Sequence, residues 1–222
     1  MMPLLTPLLF LAAVRADPPA EVLVRLDEAL GRLADPAQVD HFRVTTEART
    51  SDMDGADAHL DVVVVEIGWD AAGAVQTRPV SHTRDGAPIP EEEPQDGKKG
   101  EVSVGLAAPA GEALARYTYG PTEARGAMAT APFAPAPGEP AADDLASGTL
   151  CWDPCNGRPL WIEMSPVELP MFVKALQTRI VLGESQGHSH TARIVVTGHG
   201  GIPGFRKQMA MEMRFHDVVW KP

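Results

Sequence analysis

Lys207–Trp220 reads KQMAMEMRFHDVVW. Met209, Met211, Met213 and Phe215 alternate there with Ala210, Glu212, Arg214 and His216. Successive strand side chains point to opposite faces, so this period of two predicts a long strand with one apolar and one polar face. The same alternation recurs upstream. Pro159–Met164 places Leu160, Ile162 and Met164 on one face, and Thr191–Thr197 does so with Ile194 and Val196. Leu60–Ile67 (LDVVVVEI) is β-branched and bounded by turn residues, the composition of a half-buried strand. His41–Thr46, Val75–Thr83, Gly126–Phe133, Gly148–Trp152 and Gln177–Leu182 read as further strands.

The connections carry turn chemistry. Asp70–Gly73 reads as a turn, and Asp153-Pro154-Cys155-Asn156-Gly157 as a hairpin, because Asp, Pro, Asn and Gly each favour a turn position. Gly183–His190 is expected to be a hairpin loop and His199–Gly204 a Gly-rich turn. Pro166–Ala175 reads as a short helix or turn, and Glu112–Tyr119 as a weak helix or strand. Solvated loops are expected near 85–100 and 134–146, where Pro, Gly and charge concentrate.

One helix stands against these strands. Asp17-Pro18-Pro19 supplies an expected N-cap and first turn. Val22, Leu23, Leu26, Leu30 and Leu33 then form a single apolar stripe that Asp35-Pro36 ends. The predicted fold is therefore mainly β (α+β). It is a curved antiparallel sheet or incomplete β-barrel of about 9–11 strands, wrapped on one to three helices. The expected organisation is a signal peptide, 1–16, and a single half-barrel domain, 17–222.

The signal reading rests on Leu4–Val14, an apolar run about eleven residues long, against the roughly 20 that a bilayer span needs. Val14-Arg15-Ala16 offers a cleavage site before Asp17, and no Cys follows that could carry a lipid. Export to the periplasm without an anchor is the expectation. Loss of Arg15 would take the net charge from -11 to -12. So acidic a chain, with no basic face evident, excludes sequence-nonspecific nucleic-acid binding. In an oxidising compartment Cys151 and Cys155 are expected to form a local disulfide.

Motifs for catalysis are weak. Gly183-Glu184-Ser185-Gln186-Gly187 fits G-x-S-x-G, but strand follows where a nucleophile elbow needs helix. His188, His190 and His199, with Cys151 and Cys155 as soft partners, are candidate metal ligands. Exposed loop histidines are more often plain polar surface. No cofactor is expected.

Gly148–Glu163 (GTLCWDPCNGRPLWIE) resembles the hairpin of the outer-membrane lipoprotein-carrier superfamily (LolA/LolB-like), and the chain is identified as a divergent member. The resemblance implies an incomplete antiparallel barrel around helices, with an apolar cavity for acyl chains and no catalytic residues. It transfers no individual ligand-binding residue. From the strand faces, the candidate ligand-binding residues are Met209, Met211, Met213, Phe215, Leu160, Ile162, Met164, Leu26 and Leu30. Methionine suits such a wall because it adapts to irregular apolar shapes. The expected function is an exported soluble monomeric carrier of lipid or lipoprotein acyl chains, with an envelope protein as a candidate partner. The alternatives are a sensor or interaction module with a dry core, and a metal-handling protein using His and Cys.

Overall fold

The computed structural model describes residues 17–90, 116–140, 145–202 and 205–222. The segment 1–16, residues 91–100 of the first expected loop, 141–144 of the second and 112–115 of the expected weak helix or strand lie outside these residues. Helix α1 spans Ala20–Gly31 and runs into a 3-10 turn, Arg32–Ala34. The strands are β1 (Val39–Asp52), β2 (His59–Trp69), β3 (Val75–Arg84), β4 (Ala87–Pro88), β5 (Tyr117–Tyr119) and β6 (Glu123–Arg125). They continue as β7 (Met128–Pro135), β8 (Ala146–Asp153), β9 (Arg158–Pro166), β10 (Val173–Ser185), β11 (His188–Ile202) and β12 (Phe205–Trp220). All belong to one 12-stranded antiparallel sheet, ordered β4-β3-β2-β1-β12-β11-β10-β9-β8-β7-β5, with β6 beside β7. The sheet is open, as its path does not return from β5 to β4.

Register fixes which side chains share a face. Val63, Thr46, Met213, Ile194, Ile180, Ile162, Leu150 and Ala131 pair in one row from β2 to β7. The helix lies on this face. Val22, Leu26 and Leu30 pack with Ala131, Leu150, Trp152, Ile162 and Ile180 in one core cluster. Leu33 joins Phe42, Val44, Val65, Ile67 and Phe215 in a second, where the Phe42 ring lies 6.1 Å from both Trp69 and Phe215. Burying each large aliphatic of the stripe is worth about 1.5–3 kcal/mol, enough to hold a short helix with little intrinsic stability.

The opposite face is a charged lattice. Arg214 pairs with Glu47 at 3.0 Å and Glu212 at 2.7 Å, and Arg193 reaches Glu212 at 3.6 Å. Arg214 beside Glu212 holds that carboxyl below its ordinary range.

Several sequence expectations are corrected. Asp17 does not cap α1. Pro19 occupies the cap position, and its carbonyl accepts from Val22 N at 2.9 Å. Of the two readings of Pro166–Ala175, helix or turn, the turn holds at Met171-Phe172, and the segment otherwise ends β9 and starts β10. His199–Ile202 continues β11. The loop expected from Asp85 begins with a tight turn into β4.

The disulfide is also overturned. Cys151 and Cys155 are both free, the first buried and the second exposed. The turn between β8 and β9 is clamped by other groups. Asp153 Oδ1 accepts from Cys155 N at 2.8 Å, Asp153 O from Gly157 N at 2.9 Å, and Asn156 Oδ1 from Arg158 N at 2.9 Å. Cys151 lies against Met128, Sγ to Sδ 3.7 Å, and burial pushes its thiol pKa up. A thiolate is the reactive species, so Cys155 should label rapidly with a maleimide in the native protein. Cys151 should label only after denaturant is added. Rapid modification of both thiols would contradict this placement.

Candidate functional site

Beyond the helix-covered row, the same sheet face continues in two more rows. One is Asp61, Ala48, Met211, Val196, Thr178, Met164, Gly148, Phe133 and Tyr119. Its Met164–Tyr119 end packs into the first core cluster, whereas Met211 and Val196 belong to neither cluster. The next row is His59, Thr50, Met209, Gly198 and Leu176. Rows stand about 7 Å apart at two strand residues per step, so the apolar face runs well past the helix. Thr50, Leu176, Gly198 and Met209 line an open cavity of about 570 Å³, with Met171, Phe172 and Val173 on its rim. A second cavity, about 580 Å³, adjoins it at Phe172, Gly200 and Gly201 and reaches Met53 and Ile202.

The rim is built to present apolar side chains to water. Met171 is 81% exposed and Phe172 57%. Phe172 has a φ of 72°, a region costly for a bulky residue. Its carbonyl accepts from Gly201 N at 2.8 Å, which fixes the segment against β11. A side chain at Gly200 would run into the Phe172 carbonyl, so glycine there permits the approach. Val167, Leu169, Ile202 and Met53 are exposed as well. Exposed apolar side chains gathered around adjoining cavities, as Met53, Met171, Phe172 and Ile202 are, mark a binding site more often than chance.

The sequence-predicted residues divide accordingly. Met209, 39% exposed, lines the groove, and half-buried Met211 lies one row closer to the helix. Met164 and Met213 are partly buried against the core clusters. Leu26, Leu30, Ile162 and Phe215 are inside the packed core. Leu160 falls at an irregularity in the β8–β9 register, half-buried and outside both clusters. The helix therefore sits on a filled interface, and the open groove lies beyond it. Sequence reading missed the rim, Met171 and Phe172, because Pro166–Ala175 carries no strand or helix period.

The histidines do not gather. His199 lines the groove end of β11, while His188 and His190 lie at the other end of that strand against Trp220, with ring centroids 4.7 and 5.7 Å away. Among the described residues, no cluster of three His, Cys, Asp or Glu could hold a metal.

Ser185 and His190 meet, which the sequence argument did not foresee. Ser185 Oγ lies 3.1 Å from His190 Nε2, and Trp220 Nε1 donates to Ser185 Oγ at 3.1 Å. His190 Nδ1 is 2.9 Å from Thr191 O. A carbonyl only accepts, so Nδ1 carries the proton and Nε2 accepts from the serine hydroxyl. The chain Trp220 to Ser185 to His190 to Thr191 ties the end of β12 to the β10–β11 hairpin. Ser185 precedes a tight turn between antiparallel strands, where Gln186 and Gly187 both have positive φ. Ser185→Ala should lower stability by about 1–2 kcal/mol, by stranding buried His190 and the indole N–H. Urea unfolding measures this, and an unchanged midpoint would show that the chain contributes nothing.

No family model and no curated protein matches the chain. Among solved structures it is similar to a domain described as an outer membrane lipoprotein-sorting protein from Vibrio parahaemolyticus. There the identity is 11%, the match covers 91% of this chain and 93% of the other, and the TM-score is 0.39. A DUF1329 family protein from Desulfovibrio piger follows at 8% identity, 93% and 94% coverage and a TM-score of 0.34. The Pseudomonas aeruginosa MucA/MucB complex gives 11%, 91% and 99%, and 0.24. At these values the function has to be argued from the chain's own residues.

Proposed function

We propose that the chain is an exported binding protein that holds an acyl chain in the groove of Met209, Met211, Val196 and Leu176, with no catalytic step. The observation that supports this most is the continuation of the apolar sheet face beyond the helix, ending in an open cavity rimmed by exposed Met171 and Phe172. Each CH₂ moved from water onto such a surface contributes about 0.8 kcal/mol. An open, Met-lined groove keeps that contribution partial, as reversible carriage requires. Export rests on the apolar Leu4–Val14 segment, which makes the periplasm the proposed address. An envelope protein or lipoprotein is then the proposed partner.

Native mass spectrometry of the purified mature protein should show a co-purified lipid adduct, removed by organic extraction. A bare protein that also fails to bind a fluorescent fatty acid would overturn the proposal. A second reading, a sensor or interaction module with a dry core, is favoured by the closed packing of Leu26 and Leu30 on Leu150, Ile162 and Ile180. It predicts no small-molecule binding at all.

A further inference from the structure

The described cations are distributed unevenly between paired and unpaired positions. Every described Lys and Arg lies within 4.0 Å of a carboxylate, apart from Arg49, Lys174, Arg206 and Lys221. Lys221 Nζ instead donates to Pro36 O at 2.7 Å. The other three stand at one end of the sheet. Lys174 and Arg206 line the cavity of Met53, Phe172 and Ile202. Arg49 lines an adjoining trough of about 640 Å³ that shares Met53 and His199 with it. Among the described residues no carboxylate lines these cavities. Asp52 engages Lys207 at 2.6 Å, so that lysine is already neutralised.

A chain with a net charge of -11 thus keeps Lys174 and Arg206, unpaired among the described residues, on the cavity that exposes Met53, Phe172 and Ile202. Cations next to apolar surface match one ligand chemistry, an anionic headgroup on a hydrocarbon chain. We infer that the cavity of Met53, Phe172 and Ile202, which adjoins the groove, takes an anionic amphiphile, its headgroup at Lys174 and Arg206 and its chain along Phe172, Gly200 and Ile202. This rests on the acyl-chain reading above and adds the class of lipid.

The test displaces the neutral fluorophore N-phenylnaphthylamine from the purified protein at neutral pH and low salt. Dodecanoate and dodecanol present the same chain with and without charge, and inorganic phosphate presents charge without a chain. Dodecanoate should displace the fluorophore at about tenfold lower concentration than dodecanol, the sum of two exposed charge contacts. Added salt should narrow that gap. In Lys174→Gln/Arg206→Gln the two amphiphiles should become equal through loss of dodecanoate affinity, while Lys221→Gln keeps the preference. Equal potency in the wild type, or a preference that survives the double substitution, overturns the headgroup assignment and leaves the acyl-chain groove standing. Phosphate that competes with dodecanoate but not dodecanol assigns the cations to a free anion and likewise overturns it. Failure of the fluorophore to bind overturns the groove itself.

Discussion

Met211→Asp should reduce binding of a fluorescent fatty-acid probe by at least about a hundredfold, while Glu212→Gln leaves it within about twofold. Met211 pairs with Val196 on β11 and Ala48 on β1, one row above the groove lined by Met209. An aspartate there stands where hydrocarbon would lie. Hydrocarbon cannot solvate it, so the carboxylate must draw in water, protonate or exclude the chain. Each costs several kcal/mol, and 1.4 kcal/mol is a factor of ten in affinity. Glu212 is the adjacent residue on the other face, held by Arg214 and Arg193. Its removal loses exposed ion pairs of small worth. Met211 is half-buried and outside both core clusters, so Met211→Asp should still fold, and circular dichroism must confirm this. Equal loss in the two variants would show that the sheet faces are assigned wrongly. A Met211→Asp chain that cannot fold would place Met211 in a dry core.

The face assignment was legible in the sequence because it depends only on strand period. Lys207–Trp220 alternates strictly, and the structure puts Met213 and Phe215 on the helix side and Glu212 and Arg214 on the charged side. The stripe Val22, Leu26, Leu30 and Leu33 was equally readable, since a helix buries residues at period 3.6 whatever it packs on. How far that helix reaches was not readable. It depends on the lateral register of β9, β11 and β12, which no single strand encodes. The sequence therefore joined Leu26, Leu30 and Met209 in one cavity, although the helix residues are fully packed and Met209 lies beyond them.

Pairings across the sheet were hidden for the same reason. Ser185 and His190 come together because a tight turn at Gln186-Gly187 brings β11 back along β10. Trp220 reaches them through a third strand. The failed disulfide is a local case. Two cysteines four residues apart invite a bridge by count, but Cys151 lies buried in β8 while Cys155 stands on an exposed turn. Unpaired Lys174 and Arg206 could not be distinguished from paired Arg193 or Arg214 by sequence, because the carboxylates that compensate a strand cation sit on neighbouring strands.

Gly148→Ala should cost about 3 kcal/mol, more than a single methyl usually does. Gly148 opens the stretch that resembles a carrier-family hairpin, and the sequence places it at the start of a strand. The structure adds why the residue is glycine. It pairs with Met164 on β9 and Phe133 on β7, and an added Cβ would run into the Glu163 carbonyl and stand 2.8 Å from Met164 Cα. These are backbone atoms. A flexible side chain could swing away, but β9 is held by β8 on one side and β10 on the other. Relief needs displacement of paired strands in the row carrying Met164 and Phe133, both packed on the first core cluster. Overpacking of this kind typically costs 1–3 kcal/mol, and rigid surroundings take it to the upper end. At this chain length that corresponds to a fall in Tm of roughly 6–12 °C. Gly73→Ala is the control, in the exposed β2–β3 turn with φ 81° and nothing within 4 Å of the new methyl. It adds only backbone strain, about 1 kcal/mol. If the two alanines melt at the same temperature, β8 and β9 are not held as closely as the register requires, and the row from Met211 to Tyr119 is not continuous.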